Sequence, residues 1–191
     1  MIATHFDDLI GAVRRTSAEI GQVQTWGAQL AGVLTGGGRL LACGNGGSAA
    51  EAQHLTAELV GRFADERQPL SAIALHADTS ALTAVVNDYG GDEIFARGVR
   101  AHGRPGDVLV TLSTSGTSQN VLTAVKAAHE IGMTSWALTG PAPNPLAATC
   151  TEAICVDAPT TATVQEVHLL LVHALCMAVD ERILGGCAHE R

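Results

Sequence analysis

Four side chains on two apolar, helix-patterned stretches have the types and spacing to hold a cation or move a proton. His54 and Glu58 lie four positions apart, about one helical turn, so both face one way if Ser48–Phe63 is a helix. An imidazole and a carboxylate so placed can chelate one divalent metal or serve as acid and base, and the same pair is also common on a solvated helix surface. Gln165 and His173 lie eight positions apart, roughly two turns, in the apolar stretch Thr163–Ile183. His173 sits among Leu169, Leu170, Leu171, Val172 and Leu175, where a histidine is either a ligand or a hydrogen-bonded core residue. His168 competes with it on the same stretch.

A second constellation suits an anion. In Ser113-Thr114-Ser115-Gly116-Thr117-Ser118 every position except Gly116 carries a hydroxyl. The turn follows the apolar run Val108–Leu112 and opens the helix-patterned Gln119–Ile131. Hydroxyls and unpaired first-turn N–H groups then converge at the positive end of a helix dipole, which is a phosphate cradle. The turn contains no Lys or Arg, so neutral donors and the dipole carry the binding. A simple capped helix start is the plainer reading of the same residues.

Cys43-Gly44-Asn45-Gly46-Gly47-Ser48 also leaves a strand and enters a helix, with Ser48 placed as N-cap. Its glycines let the backbone approach a ligand closely. The spacing is not G-x-G-x-x-G, and no G-x-x-x-x-G-K-[ST] occurs in the chain. Asn87-Asp88 precedes Tyr89-Gly90-Gly91, a turn signal, and serves either backbone groups or a ligand. Asp107, Arg62, Glu66 and Arg67 read as surface or connection charges.

The elements that must position these residues alternate. Apolar residues at helical spacing run from Phe6 to Leu34 and stop at Gly36-Gly37-Gly38, giving one long helix or two. Strands are expected at Arg39–Cys43, Ser71–Leu75, Val108–Leu112, Thr134–Leu138 and Ala153–Val156. Helices are expected at Ser48–Phe63, Thr79–Asn87, Asp92–His102, Gln119–Ile131 and Thr163–Ile183, with a rigid loop at Pro141–Pro145. Such alternation implies an α/β fold, a three-layer αβα sandwich around a flavodoxin-like five-stranded parallel sheet, with N-terminal helices added. Ligands of that architecture bind beyond the carboxyl ends of the strands.

A chain of 191 residues with 47% hydrophobic and 16% charged residues suits one globular domain. With only 3% aromatics, the core must be built from Ala, Val, Leu and Ile. A net charge of −8 without a basic block argues against a nucleic-acid partner. Met1–Leu9 lacks the apolar region of a signal peptide, and the apolar run Val167–Val179, broken by His168 and His173, reads as too short for a membrane span. Five cysteines with no C-x-x-C pair, at 43, 150, 155, 176 and 187, read as reduced buried thiols of a cytoplasmic protein. The tail Gly185–Arg191 is expected to fray.

Together these motifs resemble the sedoheptulose 7-phosphate isomerase (phosphoheptose isomerase) family of sugar isomerase (SIS) domains. The match is carried by Cys43–Ser48, His54-x-x-x-Glu58 with Gly61-Arg62, Asn87-Asp88-Tyr89-Gly90, Ser113–Ser118, Leu138-Thr139-Gly140, and Gln165-Glu166-x-His168 with His173. It spans nearly the whole chain, implying one SIS domain over 1–191, with 1–36 as an N-terminal helical segment and 37–191 as the sheet with its covering helices. The resemblance implies that Ser113, Thr114, Ser115 and Ser118 hold the phosphate, and that Asn45, Gly46, Gly47, Ser48, Asn87 and Asp88 hold the sugar. It further implies that His54, Glu58, Gln165 and His173 bind zinc, with Glu58 and Gln165 also touching substrate.

The implied reaction is aldose–ketose isomerisation through an enediol, with Glu58 as base and His173 as acid, giving D-glycero-D-manno-heptose 7-phosphate for nucleotide-activated heptose. A homotetramer with sites at subunit interfaces, in the cytoplasm and away from membrane and nucleic acid, is implied as well. Ala49, Ala50 and Gln53 are plainer than in some members and alter the pocket wall. Two rivals share the fold and the hydroxyl turn: a tetrameric scaffold that binds the replication initiator, and another sugar-phosphate isomerase or binding domain. The set His54, Glu58, Gln165 and His173 separates the isomerase from them.

Overall fold

A computed structural model describes residues 2–187, the side chains of 186 and 187 excepted. The thiol of Cys187 and most of the tail expected to fray lie outside the described residues. Helix α1 (Ile2–Thr16) and helix α2 (Ile20–Thr35) are joined by a single 3₁₀ turn, so the N-terminal pattern folds as two helices. The Gly36 N–H closes α2 on the Gly32 carbonyl. Then follow β1 (Leu40–Gly44), α3 (Gly47–Val60), β2 (Ala72–Ala74), α4 (Thr79–Tyr89) and α5 (Ala96–His102). The chain continues through β3 (Val108–Ser113), α6 (Gln119–Ile131), β4 (Thr134–Thr139), α7 (Pro145–Thr149), β5 (Glu152–Cys155) and α8 (Thr161–Cys187).

All five strands are parallel in the order β2-β1-β3-β4-β5, the expected doubly wound sheet. Central strands of such sheets are covered on both faces and read as unbroken apolar runs, as β1 and β3 do, with every residue buried. Successive residues alternate between two cores. Leu40, Ala42, Val108, Val110, Leu112, Trp136 and Leu138 meet α1, α2, α3 and α8 on one face. Leu41, Cys43, Leu109 and Ala137 meet α5, α6 and α7 on the other. Trp26 of α2 stacks parallel on Trp136 of β4 with ring centroids 4.8 Å apart.

Four expectations need correction. Asp92–His102 is not one helix, because a 3₁₀ turn at Gly91–Glu93 precedes α5. Pro145 is not loop but the first residue of α7, with the Asn144 side chain capping it by accepting from the Ala147 N–H. Stretch Thr161–Gly185 of α8 is long and apolar enough to cross a membrane by length and composition, although the run Val167–Val179 alone reads as too short. Half of its most apolar stretch is buried against the rest of the chain, as for a core helix. Asp107 and Arg67 do lie in connections, but they are buried rather than surface charges. Asp107 accepts from the N–H groups of Arg39 and Arg104 and so ties together the entries to β1 and β3.

Candidate active site

The turns after β1 and β3 lie side by side at the carboxyl end of the sheet, because those strands are neighbours in register, Gly44 opposite Leu112. Gly46, at φ +56°, caps α3, and its carbonyl accepts from the Ala49 and Ala50 N–H groups. Ser48 therefore falls inside the first turn, buried, and is not the N-cap that its type suggests. Asn45 is held by a reciprocal amide pair with Asn120 of α6, at 3.0 and 2.9 Å, which joins the two turns.

The hydroxyl turn is partly tied to itself. The Ser113 hydroxyl accepts from the Gly116 N–H at 3.1 Å and lies 3.3 Å from the Ser118 hydroxyl. Ser118 occupies the N-cap of α6 without a capping bond from its side chain, which disfavours the plain capped-start reading. Thr114 and Ser118 are half-buried and Ser115 is exposed, at the N-terminus of a 13-residue helix. That arrangement can accept an anion.

Helices α3 and α8 run side by side in the same direction, and their contacts form a ladder. The Gln165 amide lies over the backbone of Gly47, so close that a Cβ there would collide with it. One rung on, His168 faces Glu51, with Nδ1 3.8 Å from Oε2. At the next rung His54 Nε2 lies 3.0 Å from Glu58 Oε1 and 3.1 Å from His173 Nε2. Donor atoms of these three residues all fall within 4.8 Å of one another. The i,i+4 pair on α3 is thus no bland surface pair. Of the two α8 histidines, His173 joins the cluster while His168, fully buried, bonds the Thr139 carbonyl. Two facing imidazole nitrogens and a carboxylate oxygen form a compact N, N, O donor set that fits a small divalent cation.

Beyond the cluster, the guanidinium of Arg67 pairs with Asp180 of α8 at 2.6 Å and donates to the carbonyls of Glu58, Leu59 and Gln68. It caps the last turn of α3 and clamps that helix to α8. Removing one partner of a buried pair leaves an uncompensated charge, so Asp180→Ala should cost about 3–5 kcal/mol in urea unfolding. A loss near zero would mean that the three carbonyls alone satisfy Arg67.

Asn87 and Asp88 are not brought to this cluster within one chain. They end α4, bond each other at 2.8 Å, and stand exposed on a helix that has no buried residue. The helix runs on through Tyr89, so they do not act as turn residues. Sequence reasoning missed Glu51 and Asn144. Glu51 lies three positions before His54, one turn away, and burial pushes its carboxyl up to about 7. Asn144 braces the hydroxyl turn, since its amide donates to the Thr139 hydroxyl and a Cβ on Gly116 would strike it. Its signal was the Asn-Pro dipeptide of an N-cap followed by Pro at N1.

The SIS domain family model matches residues 5–140. Over 185 residues, 97% of this chain and 80% of the relative, the chain is 61% identical to a phosphoheptose isomerase of Streptomyces coelicolor. A solved phosphoheptose isomerase from Neisseria gonorrhoeae superposes with TM-score 0.86 at 47% identity, covering 94% of this chain and 97% of that one. One from Francisella tularensis gives TM-score 0.88 at 38% identity, covering 94% and 96%.

Proposed function

We propose that this chain, which belongs to the SIS domain family, is a phosphoheptose isomerase that converts D-sedoheptulose 7-phosphate to D-glycero-D-manno-heptose 7-phosphate. The convergence of His54, Glu58 and His173 in one donor cluster, together with the hydroxyl-rich turn that opens α6, carries this reading. We read the whole of 1–191 as one such domain and its product as feeding nucleotide-activated heptose synthesis.

Ser113, Thr114, Ser115 and Ser118 hold the phosphate, with the α6 dipole behind them. Asn45, Gly46, Gly47, Ser48 and Gln165 line the sugar side. His54, Glu58 and His173, with Gln165 as fourth ligand, would hold zinc, which when bound polarises the carbonyl and hydroxyl oxygens. Glu58 takes the C1 proton of the ketose and returns it to C2 of the enediol, while His173 moves the proton between the oxygens. Glu58 and His173 are thus both ligands and proton carriers, an economy that their 4.8 Å cluster permits.

Asn87 and Asp88 complete the sugar site from a neighbouring subunit of a homotetramer. The support is their exposed helix, together with exposed apolar side chains on the first helices and α8: Phe6, Ile10, Ile20, Leu170 and Met177. A phosphorylated-sugar substrate and the free thiols of Cys43, Cys150, Cys155 and Cys176 suit the cytoplasm. The scaffold alternative has no use for the His54, Glu58 and His173 cluster.

Zinc-loaded protein incubated with sedoheptulose 7-phosphate should form the aldose. Chelation should stop turnover and added zinc restore it. Turnover that survives full metal removal would overturn the metal assignment, and no turnover with tight binding to a replication initiator would favour the scaffold.

A further inference from the structure

We infer that Glu51 and His168 share one buried proton, and that this pair positions α8, with His173 and Gln165, against the end of the sheet that carries the hydroxyl turn. The inference rests on the proposed roles of those residues. His168 Nε2 lies 3.1 Å from the Thr139 carbonyl, which can only accept, so Nε2 carries the hydrogen. The Nδ1 atom of a neutral ring is then a lone pair, 3.8 Å from Glu51 Oε2. Both atoms are buried, and neither has a hydrogen-bond partner among the described residues.

Two acceptors facing each other away from water is an unfavourable arrangement, and a single proton on either one converts it to donor and acceptor. Burial favours the neutral form of each group, holding Glu51 up at about 7 and His168 down at about 4. Of the two groups, the carboxyl is the one that burial favours to hold the proton. Among the described residues, the other titratable groups on these helices and the elements packed against them are His54 and Glu58 on α3, Glu166, His173, Cys176, Asp180, Glu181 and Arg182 on α8, His5, Asp7, Asp8, Arg14 and Arg15 on α1, and Cys43 on β1. None of them forms a hydrogen bond or ion pair with Glu51 or His168 among the described residues.

The position of the pair gives it leverage. Glu51 precedes His54 by one turn of α3, and His168 lies between Gln165 and His173 on α8. Thr139, which His168 grips, is followed by Gly140, packed so tightly on the Thr114 carbonyl that no Cβ fits between them. One proton thus links the helices bearing the metal-ligand candidates to the turn assigned to phosphate. Neither residue touches substrate in this scheme; both are positioning residues.

The test begins with ¹⁵N NMR of His168 in the intact protein around neutral pH. A neutral ring with hydrogen on Nε2 and a hydrogen-bonded Nδ1 is expected. An imidazolium, or hydrogen on Nδ1 alone, would overturn the inference. Glu51→Gln supplies an amide N–H in place of the carboxyl proton and should keep kcat and cobalt affinity close to wild type. Glu51→Leu removes the donor and should lower cobalt affinity or kcat ~10–100-fold, as losses around a metal ligand do, with KM little changed. If Glu51→Gln is as damaging as Glu51→Leu, the carboxyl is not acting as a proton donor and the inference fails. The NMR result and the Gln variant decide it even if the Leu variant does not fold. A wild-type protein without isomerase turnover would remove the proposed function while leaving the NMR answer intact.

Discussion

Glu58→Gln should lower turnover of sedoheptulose 7-phosphate by at least ~10²-fold, the typical loss for a missing general base, with the fold retained. Gln has the length of Glu and keeps a carbonyl oxygen that can still accept from His54, whose Nε2 lies 3.0 Å from Glu58 Oε1. What it cannot do is take a proton from carbon. The loss should therefore fall on kcat, and exchange of substrate hydrogen with heavy water should slow in parallel. Because Glu58 is also a proposed ligand, zinc content of the variant must be measured alongside. Turnover near normal with zinc retained would remove Glu58 from the base role and leave His173 as the group to test.

Gly116→Ala should disable phosphate binding. Gly116 has φ +63°, in the left-handed region where an alanine costs about 1–2 kcal/mol. A Cβ there would also strike the amide of Asn144. Asn144 has little freedom to yield, since its Nδ2 donates to the Thr139 hydroxyl at 3.0 Å and its Oδ1 accepts from the Ala147 N–H at 2.9 Å. The turn itself must shift. If two hydrogen bonds to the phosphate are lost, at about 1.5–3 kcal/mol each for a charged acceptor, kcat/KM should fall ~10²-fold or more. Competitive inhibition by inorganic phosphate should weaken with it. Unchanged phosphate inhibition in a folded variant would move the anion site away from Ser113–Ser118.

Much of this site was legible in the chain. The apolar runs of β1 and β3 and the glycines after α2 fixed the alternation, and alternation of strand and helix leaves few topologies. The i,i+4 spacing put His54 and Glu58 on one face without further help. What the sequence could not say is which helix face meets which. Periodicity gives a helix its apolar side but not its partner, so the ladder of α3 against α8 emerges only in three dimensions. That is why His173 and His168 were rivals in the sequence and have distinct settings in the structure. Arg67 lies in an irregular stretch between α3 and β2 with no period to reveal its burial. Ser48 has the right residue type for a cap, yet Gly46, two residues earlier and at positive φ, starts the helix instead.

The parallel stack of Trp26 on Trp136 has an optical consequence. These are the only two tryptophans in the chain, and both are buried. Their ring planes are 1° apart, and the Trp26 indole N–H donates to Glu152 at 3.1 Å. All indole emission therefore originates at the seam between α2 and the sheet. Fluorescence of this protein should report the undocking of its N-terminal helices as a single event. It should stay nearly silent when a ligand arrives at the far ends of the strands.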